Sequence, residues 1–109
     1  MLENLKESLS KLNIQIADHY GYDAQSNLLI EECAELIQAI NKYRRAKGSG
    51  QSTPVKVQAA YNNIIEELTD VEVMIEQVKH LLGIKEEDIL SVREYKCNRT
   101  LQRMEKERG

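Results

Sequence analysis

Two pairs of acidic residues, each spaced three positions apart, are the strongest candidates for chemistry in this sequence. The first pair is Glu32 and Glu35, and the second is Glu67 and Asp70. In a helix, residues three apart lie on the same side of one turn, so each pair presents two carboxylates in one direction. Both pairs lie in rows of otherwise apolar residues, where their charges repel unless protons or a cation neutralise them. An all-carboxylate set without histidine favours a hard ion such as Mg²⁺ or Mn²⁺ over zinc.

The segments that carry these pairs have the apolar periodicity of helices, and there are four such segments in the chain. They run from Leu2 to about His19 before Gly21, from a cap at Asp23 to about Lys47, from Thr53 and Pro54 to a stop at Gly83, and onward from about Lys85. Residues 47–53 form a Gly/Ser-rich loop. The pattern predicts an all-α, four-helix antiparallel bundle that makes a single domain over residues 1–109.

Counting along the predicted hairpin places the two acidic pairs at the same level. Glu35 precedes the centre of the loop by about 15 residues and Glu67 follows it by about 17. If the second and third helices pack antiparallel, all four carboxylates therefore converge. We predict that Glu32, Glu35, Glu67 and Asp70 bind a metal ion, with Mg²⁺ expected and Mn²⁺ as an alternative.

Composition supports a helical protein and excludes several classes. Of the 109 residues 41% are hydrophobic and 5% aromatic, with no Trp or Phe and a single Pro. No apolar run is long enough for a membrane span, so no membrane association is expected. Such a thin aliphatic core on long helices predicts completion by a homodimer or a dimer of dimers. The acidic, amphipathic start of the chain is not typical of a targeting peptide, and Cys33 and Cys97 fit reduced core residues, so we predict a cytoplasmic protein.

Charge is unevenly distributed along the chain. The net charge of −3 argues against stable nucleic-acid binding, but residues 91–109 carry six Lys/Arg against three Glu, a net +3 that leaves −6 on residues 1–90. Lys96 and Arg99 lie in one row of the fourth helix and are candidates for binding phosphate, although a solvated helix end explains them equally well. Gln25 and Asn63 share rows with the acidic pairs and are candidates for binding a substrate beside them.

These motifs together resemble the MazG-like all-α nucleoside triphosphate pyrophosphohydrolases. Residues 31–35 match the family pattern E-E-x-x-E, and residues 67–70 match E-x-x-D. The similarity extends from about residue 15 to about residue 105 and includes the segments 20–25 and 66–70 and the basic last helix. The resemblance implies a helical bundle completed by dimerisation, which uses Mg²⁺ to hydrolyse a nucleoside triphosphate to the monophosphate and pyrophosphate.

Carried over position by position, the resemblance makes Glu32, Glu35, Glu67 and Asp70 the metal ligands. Glu31 matches the leading Glu of the motif and is expected to hold a second ion or to orient water. The catalytic set is therefore Glu31, Glu32 and Glu35, and the nucleotide, whether standard, deoxy or non-standard, is left open.

Two other interpretations compete with this enzyme. A carboxylate-bridged di-iron bundle needs Glu-x-x-His pairs, which neither Glu32 nor Glu67 provides. A non-catalytic helical homo-oligomeric interaction module, in which the acidic pairs are structural, stays open as the alternative.

Overall fold

The structure is a computed structural model that describes residues 1–48, 50 and 52–109. Its helices are α1 (Leu2–Tyr20), α2 (Tyr22–Gly48), α3 (Pro54–Leu82) and α4 (Glu86–Arg108). No strand occurs among the described residues, so the all-α prediction is confirmed. Ser49 and Gln51 of the predicted loop lie outside the described residues. None of the helices in the described ranges is both long and apolar enough to cross a membrane.

Local signals explain where the helices begin and end. The Thr53 hydroxyl accepts a hydrogen bond from the backbone N–H of Lys56 at 3.2 Å and caps α3, whose first residue is Pro54. Gly83 ends α3 in the left-handed conformation with φ 66°, which a residue with a side chain adopts only at a cost. The predicted cap at Asp23 is wrong, because α2 already begins at Tyr22 and Asp23 lies in its first turn.

Three of the four helices pack together in one chain. The longest contact is between α2 and α3, which form an antiparallel hairpin, and α1 lies mainly against α3. Among the described residues α4 packs along none of the other helices, and an ion pair of 3.6 Å between Lys79 and Glu86 holds only its first turn. The radius of gyration is therefore 18.0 Å, against about 13 Å for a compact chain of this length. The predicted four-helix bundle is thus a three-helix bundle with a projecting helix within a single chain.

The rows that α2 and α3 turn toward each other are those that contain the acidic pairs. The buried residues of this contact are Gln25 and Ala39 on α2 and Val71, Met74 and Gln77 on α3. The neighbouring apolar rows face outward, with Ile40, Leu68 and Ile75 each about two-fifths exposed. The hairpin therefore buries its more polar face within the chain and leaves a more apolar one uncovered.

The first helix shows the same inversion more strongly. Its buried residues are Asn13 and Ala17, whereas five apolar residues spaced three and four apart remain exposed: Leu2, Leu5, Leu9, Leu12 and Ile16. The predictions that Cys33 and Cys97 are core residues are wrong within one chain, because both thiols are exposed. Their rows are apolar, but in one chain no other helix covers those rows.

A chain of buried amides ties the three packed helices together. The Gln25 amide nitrogen donates to Gln77 Oε1 at 2.7 Å, and the Gln77 amide nitrogen donates to Asn13 Oδ1 at 2.7 Å. The Asn13 amide in turn donates to the Val73 carbonyl and to Glu76, both at 2.9 Å. Since Gln77 is only 2% exposed, each of these bonds replaces one that water would otherwise provide.

This network predicts a large cost for removing its central member. In Gln77→Leu the side-chain N–H of Gln25 and the side-chain oxygen of Asn13 both lose their hydrogen-bond partner at a buried site. We therefore expect the free energy of unfolding to fall by about 2 to 4 kcal/mol. Gln58→Leu, at an exposed position of the same helix, should change it by about 0.5 kcal/mol or less. Urea denaturation of both variants measures this, and equal losses would show that the amide chain does not stabilise the packing.

Candidate metal centre

The antiparallel register of α2 and α3 brings the two acidic pairs together. Along the hairpin Gln25 bonds Gln77, and near the loop the rings of Tyr43 and Tyr61 lie 6.2 Å apart. The acidic pairs lie between these two contacts, so Glu32 and Glu35 face Glu67 and Asp70. The convergence predicted from hairpin counting is confirmed for Glu32, Glu35 and Glu67, whereas Asp70 lies outside the group of three oxygens that these residues form.

Three carboxylates form the centre of the cluster. One oxygen from each of Glu32, Glu35 and Glu67 lies within 4.8 Å of the other two. Oxygens around one Mg²⁺ lie about 3 to 4 Å apart, because each Mg–O distance is about 2.1 Å and the geometry is octahedral. Small side-chain rotations would therefore bring the three carboxylates to ligand distance.

Two carboxylate oxygens in this cluster lack a hydrogen-bond partner among the described residues. One carboxylate oxygen of Glu32 and one of Glu67 are inaccessible to solvent and accept no hydrogen bond from any described residue. A buried carboxylate oxygen without a partner costs free energy. A proton or a hard cation supplies what is missing, so the donor set fits Mg²⁺ by its chemistry.

Electrostatics in the cluster point the same way. Desolvation, followed by the charges of Glu35 and Asp70, raises the pKa of Glu32 to about 7. The same causes in the same order raise the pKa of Glu67. In both residues the charged form is disfavoured because water is displaced and like charges lie close. At neutral pH a cation that bound here would therefore have to displace these protons.

Asp70 and Glu31 contribute differently from the three central residues. Asp70 is half-buried and lies close enough to disfavour the charged forms of Glu32 and Glu67, although it is outside the group of three oxygens. Glu31 is exposed on α2 and also lies outside that group. The structure thus brings together three of the four predicted ligands, with the fourth at the edge and Glu31 on the solvent side.

The predicted substrate-binding residues fall into three different settings. Gln25 is 5% exposed, and its amide nitrogen donates a hydrogen bond to Gln77, so in this chain it is part of the core. Asn63 is half-buried one turn before Glu67, beside the cluster. Lys96 and Arg99 are exposed on α4, and since α4 packs along neither α2 nor α3, the chain does not bring them to its own carboxylates. The Arg99 guanidinium lies over the Tyr95 ring, 5.6 Å from its centre.

Sequence reasoning missed the residues that fix the register of this site. Asn13 and Gln77 hold α1, α2 and α3 in place through their amides. A signal was present, since Gln77 follows Met74 by three in the row of Glu67 and Asp70 and is polar where the core would be apolar. Asn13 lacks such a signal, because the leucine row of α1 predicts a different buried face.

Comparison with known proteins adds no relatives to this description. No family model matches the chain, and neither a curated protein nor a solved structure matches it. The resemblance to the MazG-like enzymes therefore stays a prediction based on the motifs.

The raised pKa values predict an unusual pH dependence for the metal-free protein. In the unfolded chain Glu32 ionises near its ordinary pKa of 4.5, whereas the folded chain keeps its proton up to about pH 7. Between these values the folded state binds more protons, so the stability contributed by Glu32 falls as pH rises and is constant above about pH 7. Glu67 acts in the same direction.

The matched variant is Glu32→Gln, which cannot ionise. We expect its melting temperature in EDTA to rise relative to that of the parent between about pH 5 and pH 7, the window set by the two pKa values. Thermal melts across this range measure the difference, which removes the contribution of all other carboxylates. A difference that does not change with pH would contradict the raised pKa of Glu32.

Proposed function

We propose that this chain is a Mg²⁺-dependent nucleoside triphosphate pyrophosphohydrolase, with Mn²⁺ as an alternative ion. The observation that carries the proposal is the group of three carboxylates from two helices, with two buried oxygens that no described residue satisfies. The motif resemblance supplies the reaction. Glu32, Glu35 and Glu67 would hold the ion, and Asp70 would complete the set.

The proposed chemistry is hydrolysis at the α-phosphorus. When bound, the ion neutralises the carboxylates and the charge that develops on the phosphate oxygens. Glu31, exposed beside Glu32, orients a water molecule and takes its proton as the water oxygen bonds to phosphorus. The bond from the α-phosphorus to the bridging oxygen breaks, and pyrophosphate leaves. Asn63, one turn from Glu67, is placed to contact the nucleotide.

The phosphate-binding role of Lys96 and Arg99 depends on assembly. In one chain α4 packs along none of the other helices, so these cations need a neighbouring chain to lie near carboxylates. We therefore include a homodimer, or a dimer of dimers, in the proposal. Arg binds phosphate in bidentate fashion and Lys as a point charge, and both would stabilise the leaving pyrophosphate.

A non-catalytic interaction module is the second candidate, and the uncovered apolar surfaces favour it. The exposed rows on α1 and α4 suit a protein whose role is to bind other helices. Under this interpretation the cluster is held neutral by protons alone. Mg²⁺-dependent thermal stabilisation separates the two candidates, because only a metal site responds at millimolar Mg²⁺.

The carboxylates should show opposite effects on stability and catalysis. Removing one negative charge in Glu35→Gln or Asp70→Asn relieves repulsion in the metal-free protein, so the melting temperature in EDTA should be unchanged or higher. The same change removes a charged ligand, so Mg²⁺ affinity and pyrophosphate release should fall together, each by at least about tenfold. Melts with and without Mg²⁺ and a pyrophosphate-release assay on a panel of triphosphates measure both effects.

Glu7→Gln is the control, because Glu7 is exposed on α1 and lies outside the cluster. It should change stability by well under about 1 kcal/mol and leave hydrolysis intact. Full activity in Glu35→Gln and Asp70→Asn would contradict the metal site, and with it the enzyme.

The basic helix should affect turnover without affecting the metal. Lys96→Ala or Arg99→Ala removes a contact to phosphate, so kcat/KM should fall by about tenfold or more while the Mg²⁺ affinity stays the same. Arg93→Ala, on the same exposed helix but outside that row, is the control. Unchanged kinetics in both test variants would show that these residues belong to a solvated helix surface and do not bind phosphate.

A further inference from the structure

The fourth helix has an apolar row that no other described part of its own chain covers. Leu90, Leu101 and Met104 are about half exposed, and Cys97 of the same row is exposed as well. Successive residues of this row are seven, four and three positions apart, which is the spacing found in the seam between paired helices. With 23 residues, α4 is about 34 Å long at 1.5 Å per residue, and in proteins most of the stability of a helix comes from packing of its apolar face.

A groove of matching character lies between α1 and α3. Its volume is about 590 Å³, and its apolar lining comes from Leu9, Leu12, Ile16 and Val73. Glu72 and Glu76 of α3 form an acidic edge along it, against one basic lining residue, Lys6 of α1, and Glu76 also accepts hydrogen bonds from Ser10 and Asn13. The exposed leucine row of α1, with its own spacing of three and four, is one wall of this groove.

The charges of the two surfaces indicate which uncovered helix binds in the groove. Pairing two α4 helices would bring together two segments that each carry +3, and pairing two grooves would bring together their acidic edges. Pairing α4 with the groove unites the basic residues 91–109 with Glu72 and Glu76. Opposite potentials across an interface favour the correct partner and disfavour the two symmetric alternatives.

The exposed area is large enough for such an interface. The chain exposes 8971 Å², whereas a compact protein of 12.6 kDa exposes about 6,200 Å². The excess is about 2,800 Å² per chain, and a standard interface buries about 800 Å² on each partner. Exchange between two copies buries each α4 once and each groove once, so the assembly closes as a symmetric dimer.

We propose that two copies of this chain exchange their α4 helices, each α4 lying in the α1–α3 groove of the other copy. This deepens the proposed homodimer by naming its surfaces, and it does not depend on the proposed hydrolysis. The interface joins the row of Leu90, Cys97, Leu101 and Met104 to the groove wall of Leu9, Leu12 and Ile16.

Disulfide trapping in the full-length chain tests this arrangement. In a Cys33→Ser parent, Cys97 on α4 is the remaining thiol, and Leu12→Cys adds a second one in the groove. With copper phenanthroline as oxidant, we expect Leu12→Cys to form a covalent species of twice the 12.6 kDa chain mass at least about ten times faster than the parent. Glu7→Cys, exposed on the opposite side of α1 from the leucine row, is the matched control and should react no faster than the parent.

Each alternative gives a different result that would overturn the proposal. Rapid dimer formation by the parent means that two α4 helices pair. Dimer formation by Leu12→Cys that persists after Cys97→Ser is added means that two grooves pair, because only the introduced thiols can then react. A disulfide within one chain, between Cys97 and the thiol that Leu12→Cys introduces, means that α4 folds back on its own groove. Equal rates for the Leu12 and Glu7 variants mean that no specific contact exists. Because the readout is a covalent bond, it is independent of nucleotide hydrolysis.

Light scattering provides a second measurement that needs no added cysteine. Leu101→Glu places a charge in the interface, and since Leu101 is exposed in the single chain the variant should fold. We expect its dimer dissociation constant to rise by at least about tenfold. Gln102→Glu, exposed and outside the row, should leave it unchanged. A monomeric parent at micromolar concentration, or equal dissociation constants, would overturn the exchange.

Discussion

The contact between α2 and α3 is built around negative charges that repel one another, and the rest of the molecule is arranged around this constraint. Glu32, Glu35 and Glu67 bring carboxylate oxygens within 4.8 Å of one another, and two oxygens among them are inaccessible to solvent and have no hydrogen-bond donor among the described residues. Such a cluster persists only if the surrounding helices are held in register by other contacts. Those contacts come from the amides of Gln25 and Gln77 at one end and from the rings of Tyr43 and Tyr61 at the other.

Placing the acidic rows inside has a consequence for the outside. A helix that turns Glu, Asn and Gln toward its neighbour must turn its apolar row elsewhere, and α1, α2 and α3 all do so. The buried residues of α1 are Asn13 and Ala17, while its leucines are exposed. Together with the uncovered α4, these rows make the single chain an incomplete unit in terms of hydrophobic burial. The polar interior of the hairpin and the uncovered apolar rows therefore have one common origin.

The same arrangement bears on the two candidate functions. A purely structural module gains nothing from half-burying Glu32 and Glu67, whose pKa is raised by desolvation and by their acidic neighbours, since apolar residues in those positions would pack without that cost. A metal site needs such a cost, because the affinity for a cation comes from the repulsion that the cation relieves. The carboxylates inside the hairpin are thus the feature on which the proposed metal site rests, whereas the uncovered exterior is the feature that favours the interaction module.

The sequence alone predicted the positions of the helices well, but it did not predict which of their faces pack. Periodicity, Thr53, Pro54 and Gly83 determined the four helices, and hairpin counting placed Glu35 opposite Glu67, because both depend on local geometry that short-range interactions set. Which face of each helix is buried, the exposure of Cys33 and Cys97, and the separation of α4 from the carboxylates were decided only by the tertiary structure. An amphipathic row shows that a helix must pack, but it does not show whether its partner lies in the same chain. Hydrogen bonds such as that between Asn13 and Gln77 outweigh the hydrophobic pattern only once three helices are in place.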